Sequence, residues 1–117
     1  MSGFCTIYVT CKDREEALAI SRRLVAEKLV ACANILDGMT SVYVWQGEIC
    51  EETEVALLLK TVEQKREAAI ARIIDLHSYD VPCVTVWPIA GGNPAYLKWV
   101  EGSVDTEIGK DLSSNFM

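Results

Sequence analysis

The chain reads as an α+β protein of the ferredoxin-like, split βαβ kind: a sandwich of helices on a sheet, with an extended central hairpin and a short C-terminal helix. Three observations lead there. The apolar pattern switches from the two-residue period of strands to helical spacing, and does so twice along the chain. A turn signal, Gln46-Gly47-Glu48, lies between two long strand-like runs. The chain has 117 residues, half of them hydrophobic, which suits one core and one domain.

Residues 4–11 are rich in β-branched and aromatic side chains and form the first strand, with Cys5, Ile7, Val9 and Cys11 on one face and Phe4, Thr6, Tyr8 and Thr10 on the other. Asp13 precedes Glu16 by three residues, the pattern of an N-cap with its capping-box partner. Ala17, Ile20 and Leu24 then predict a helix over 14–29. Strand character returns near residue 32 and runs to Gln46, with Asp37-Gly38 marking a bulge inside it. The return strand, 49–61, alternates Val55, Leu57 and Leu59 against Ala56 and Leu58. Ile70, Ile73 and Ile74 predict a second helix over 63–76, and His77 continues that series on the apolar edge of its last turn. An imidazolium there would meet the favourable end of the helix dipole. Val81 to Ile89 read as a further strand, and Asn93-Pro94 as an N-cap and first residue opening a short helix to about Val100. Residues 103–117 read as a loose tail behind a single domain at 1–102.

In this arrangement the two main helices cover one face of the sheet and leave the other bare. Both faces nevertheless carry apolar side chains: Tyr43 and Trp45 oppose Val42 and Val44, and Trp87 opposes Val86. Such a surface is expected to be buried in a homo-oligomer, with the hairpin arms free to pair with a neighbour's edge strand.

The net charge of −6 argues against a nucleic-acid binder, which needs a basic face, and against an anionic membrane surface. No apolar run approaches the roughly 18 residues of a membrane helix. The five cysteines show no C-x-x-C spacing. Met1-Ser-Gly leads straight into a strand-like segment, so no secretory signal is expected, and reduced thiols in a cytoplasmic protein are the natural reading. No nucleophile elbow, Ser-His-Asp order or paired acid/base motif is present, and the chain is expected not to be an enzyme.

An ordered series of motifs resembles the CutA divalent-ion (copper) tolerance proteins: Ala26 to Asn34, Trp45-x-Gly47-x-Ile49, Glu54, Lys60-Thr61, His77-x-Tyr79-x-x-Pro82 and Tyr96-Leu97-x-Trp99. The series spans residues 4–101. The resemblance implies a ferredoxin-like fold assembled as a PII-like homotrimer, and a role in tolerance of copper and other divalent cations. It also implies metal ligands, with Cys11 at the place of the family's cysteine at the end of the first strand and His77 at that of its histidine after the second helix. Leu76 stands where another histidine is found, and Cys83 where glutamate often follows.

Thiolate and imidazole suit Cu(I) or zinc, so Cys11, His77 and Cys83 are the candidate metal ligands and copper the candidate cofactor. Each also has a structural reading: Cys11 shares a face with Ile7 and Val9, His77 suits a hydrogen-bonded helix end, and Cys83 suits packing at a strand start. One histidine per chain means that any site with more than one must cross protomers. Trp45, Glu54, Lys60, Tyr79 and Trp99 are candidates to line an inter-subunit cleft holding an anion or small molecule, against the alternative that Lys60 pairs with Glu54 or a neighbour's carboxylate. Two further functions stay open beside metal binding: a PII-like small-molecule sensor, and a trimeric scaffold or anchoring protein with no ligand.

Overall fold

The computed structural model describes residues 3–104. Four antiparallel strands form one sheet in the order β2-β3-β1-β4. They are β1 (Phe4–Cys11), β2 (Cys32–Trp45), β3 (Glu48–Val62) and β4 (Val84–Ile89), and the helices are α1 (Arg14–Ala26), α2 (Arg66–Leu76) and α3 (Pro94–Ser103). This is the expected ferredoxin-like arrangement. Among the described residues, no helix is long and apolar enough to cross a membrane.

Alternation sorts the strands into two faces. Ile7, Val9, Cys11, Val55, Leu57 and Leu59 are buried on one, where Ala17, Ile20 and Leu24 of α1 and Ala69 and Ile73 of α2 pack onto them. The other face carries Tyr8, Leu58 and Trp87, and α3 closes only one end of it, through Val100 against Phe4 and Val62. Val104 joins that small cluster. The packed body therefore reaches Val104, two residues past the expected domain end; the rest of the tail, 105–117, lies outside the described residues.

The helix ends depart from expectation for local reasons. α1 stops at Ala26, short of 29, because Lys28 takes a left-handed conformation (φ 61°). Lys28 N–H then donates to Val25 O at 3.1 Å and Leu29 N–H to Leu24 O at 3.0 Å, the paired bonds of a Schellman ending. The stretch expected to begin a helix at 63 is a short 3₁₀ turn, Glu63–Lys65, before α2. β4 starts at Val84 rather than Val81, and α3 runs past Val100 to Ser103.

The bulge falls where Asp37-Gly38 predicted it: the β2/β3 register shifts between Leu36 and Met39, and Gly38 has φ 79°. Beyond it the two strands continue as an arm, closed by Gln46 (φ 52°) and Gly47 (φ 82°), the positive pair that a two-residue type I′ turn needs. Val42, Val44 and Ile49 are exposed on one side of the arm, and Tyr43 and Trp45 on the other.

Candidate functional site

Cys11 ends β1 on the helix-covered face, Glu16 sits in the first turn of α1, and His77 caps α2. The fold brings them together: one ligand atom from each lies within 4.8 Å of the others. The His77 side chain is wholly excluded from solvent. Tyr79 N–H donates to its Nδ1 at 3.1 Å, so that nitrogen carries no proton, and Nε2–H donates to Thr10 O at 2.8 Å. Glu16 was expected to complete a capping box. Asp13 Oδ1 does accept from Glu16 N–H at 2.8 Å, but the Glu16 carboxylate accepts instead from Lys12 N–H (3.1 Å) and from Ser78 N–H (2.8 Å). It thereby ties the start of α1 to the segment leaving α2.

The electrostatics follow from that enclosure. Burial raises the Glu16 pKa, yet the hydrogen bonds from Ser78 and Lys12 outweigh it, and the net shift is downward. Burial, reinforced by Glu16, Glu54 and Asp13, pushes the Cys11 thiol up to about 12. The donors are a thiol, a carboxylate and an imidazole, a set that a soft or borderline cation accepts. Such a cation must displace the thiol proton and one of the two hydrogen bonds of His77.

A second feature lies on the opposite face. A cavity of about 590 Å³ opens between the sheet and the segment before β4, lined among others by Tyr8, Tyr43, Trp45, Glu54, Tyr79 and Cys83. Glu54 is only 5% exposed and accepts a hydrogen bond from Tyr79 Oη at 2.7 Å. Tyr8 stacks on Trp87, with ring centroids 5.1 Å apart, and its hydroxyl donates to Met39 Sδ at 3.5 Å. The phenols are all held protonated. Tyr79 is raised by burial and by Glu54, Tyr8 by burial, Cys83 and Glu54, and Tyr43 by burial, Glu52, Cys50 and Glu54.

The expected metal ligands are thus divided. Cys11 and His77 meet, with Glu16 as a third donor that sequence reasoning assigned only to a helix cap. Cys83 is exposed and lines the cavity, because it shares the parity of Thr85 and Trp87 rather than that of Val84 and Val86. Of the expected cleft residues, Trp45, Glu54 and Tyr79 line that cavity, while Lys60 and Trp99 do not. Lys60 Nζ donates to Asn34 Oδ1 at 2.6 Å, not to Glu54 of its own chain. Trp99 stacks on Tyr96 along α3, at 5.7 Å between centroids. Tyr8, Tyr43 and Asp80 were missed; the face shared by Tyr8, Glu54 and Tyr43 through the strand register was the signal that could have found the first two.

Over residues 5–103 the sequence matches the CutA1 divalent ion tolerance protein family. It is 43% identical over 94 residues to the divalent-cation tolerance protein CutA of Thermus thermophilus, covering 80% of this chain and 91% of that one. It is 45% identical over 93 residues to the CutA homolog of Xenopus laevis, covering 80% of this chain and 62% of the frog protein, so it spans less than two thirds of that relative. Among solved structures, CutA1 of Oryza sativa superposes with a TM-score of 0.87 at 36% identity, covering 90% of this chain and 96% of that one. CutA of Xylella fastidiosa superposes with a TM-score of 0.86 at 40% identity, covering 89% and 100%. With the fold, the register and these matches in agreement, the chain belongs to the CutA1 divalent ion tolerance family.

Proposed function

We propose that this chain serves divalent-cation tolerance as a cytoplasmic homotrimer that binds copper through Cys11 and His77, with Glu16 as the third donor. The observation that carries the reading is the convergence of thiol, carboxylate and imidazole, the one such group among the described residues. Copper is the first choice because thiolate and imidazole together favour it over harder divalent ions. The assembly is supported by the bare face and the doubly apolar arm, which a second copy would cover. The compartment rests on five free cysteines. Related proteins carry other addresses in their names, chloroplastic in Arabidopsis thaliana and periplasmic in Archaeoglobus fulgidus; cell fractionation tests the cytoplasmic reading, which recovery of the protein with a membrane-bounded compartment would contradict.

The protein works by binding rather than catalysis in this reading. A Cys11 thiol pushed up to about 12 is a poor nucleophile. The decisive experiment is a copper titration of the reduced protein, with folding of every variant checked by circular dichroism. Cys11→Ser and His77→Asn are each expected to weaken copper binding; unchanged affinity in both variants contradicts the ligand assignment. A PII-like sensor that works through a long mobile loop between its second and third strands is disfavoured by the two-residue turn at Gln46-Gly47. Small-molecule binding as such is favoured by one separate observation, the cavity around Glu54.

A further inference from the structure

Within the thiol–carboxylate–imidazole group, His77 Nδ1 and Glu16 Oε2 lie 3.8 Å apart. Both atoms are already taken by the chain's own backbone. Ser78 N–H donates to Glu16 Oε2 at 2.8 Å, and the next residue, Tyr79, donates its N–H to His77 Nδ1 at 3.1 Å. Two successive amide protons thus stand where a cation would.

The displacement that cannot be avoided is at His77. An imidazole nitrogen without a proton has one lone pair, whereas a carboxylate oxygen has two. Nε2 is no substitute, because it carries the proton donated to Thr10 O at 2.8 Å. A metal–imidazole bond of about 2.0–2.1 Å leaves the Nδ1 lone pair no room for the Tyr79 N–H. Cation uptake therefore requires the Tyr79 peptide to leave.

Tyr79 sits in the segment between α2 and β4, which belongs to neither helix nor strand. Each end is pinned: His77 N–H donates to Ile73 O at 2.9 Å, and Thr10 N–H to Cys83 O at 3.4 Å. Between those pins, the hydrogen bonds to the rest of the chain run through Ser78 and Tyr79 among the described residues. They are the two amide bonds and that of Tyr79 Oη, which donates to Glu54 Oε2 at 2.7 Å. One residue thereby touches both faces of the sheet: its amide closes the group under the helices, and its phenol holds the carboxylate on the bare face. All of these bonds are internal to one chain.

On the ligand reading given above, we propose that Ser78–Pro82 is a strap that closes the Cys11–Glu16–His77 group, and that cation binding lifts it and breaks the Tyr79–Glu54 hydrogen bond, carrying occupancy of the group to the bare face. A bond made only in the closed state disfavours the open, cation-binding state. Removing that bond shifts the population towards the open state and tightens binding by the same factor. Loss of an ordinary supporting contact would weaken binding instead.

The reduced, full-length protein is titrated with Cu(I) in competition with a chelator of known affinity. Tyr79→Phe keeps the ring against His77, at 4.8 Å between centroids, and removes only the hydroxyl. It is expected to bind Cu(I) about two- to tenfold more tightly than the wild type, the range of one hydrogen bond. In the wild type, Cu(I) saturation should shift the Glu54 amide resonance and remove hydrogen-exchange protection from the Ser78 and Tyr79 amides. Unchanged or weaker Cu(I) binding in Tyr79→Phe overturns the proposal, as does retained protection of both amides in the Cu(I)-loaded protein. The amide readout needs no variant, so it decides even where Tyr79→Phe fails to fold. A wild-type protein that binds no Cu(I) overturns the ligand reading and the strap together. Cu(I) binding that is lost in Cys11→Ser and His77→Asn but leaves Ser78 and Tyr79 unmoved overturns the strap alone.

Discussion

The two faces of the sheet use the same strands to opposite ends. Under the helices, Ile7, Val9, Leu57 and Leu59 are completely buried, and the polar groups at the margin close on one another beside Cys11, with Glu16 and His77 tied to the backbone of Thr10, Lys12, Ser78 and Tyr79. On the bare face, Trp87 is 48% exposed and Trp45 43%, and the nearly buried Glu54 has, among the described residues, a single phenol as its hydrogen-bond partner. One face is finished within the chain; the other has binding capacity left over. Stability should therefore respond to changes on the first, and association and ligand binding to changes on the second.

The largest effect expected is at the centre of the finished face. Leu57→Ala removes a fully buried side chain between the two main helices and should cost about 3 kcal/mol in urea denaturation. Trp87→Ala on the bare face should show instead as weakened subunit association, with the circular dichroism spectrum kept. Equal losses of stability from both would break the comparison.

Next in size are the two polar ties. His77→Ala opens a hole in a solvent-free site and strips partners from Thr10 O and Tyr79 N–H, for about 2–4 kcal/mol. Tyr79→Phe removes only the hydroxyl that donates to Glu54, for about 1 kcal/mol. Thermal denaturation of the two variants side by side checks the order.

The pH dependence should also be set by the finished face. The Glu16 pKa is lowered on folding, so its contribution is full above the unfolded carboxylate range and is lost as pH falls through the folded value. Glu16→Gln should flatten the acid limb of the stability curve. Cys11 is raised from 9.0 to about 12, so its contribution is full below pH 9 and is lost as pH rises from there towards 12. Cys11→Ser should flatten that alkaline limb.

How much of this was legible follows from range. Alternation in β1 and β3, the Asp37-Gly38 bulge and the Gly47 turn were readable because each depends on neighbours one to three residues away. The thiol–carboxylate–imidazole group was readable in two of its three members. Cys11 and His77 were found, but Glu16 was read through its local spacing to Asp13, while its carboxylate is claimed by Ser78, 62 residues distant. Lys60 was unreadable in the same way, since its Asn34 partner is fixed only by the β2/β3 register. The cavity needed that register too, along with the approach of Tyr79 to Glu54. The early end of α1 was hidden because Lys28, not glycine, takes the left-handed position. Lys28→Gly should therefore relieve backbone strain and stabilise the protein by about 1 kcal/mol or less, the smallest effect here, detectable as a raised melting temperature.

The bare face as a surface completed by further copies of the chain is tested most directly by sedimentation velocity of the reduced protein at low micromolar concentration. A single species at three times the 13.0 kDa chain mass is the result the account predicts. A species that stays at 13.0 kDa across the concentration range would contradict it.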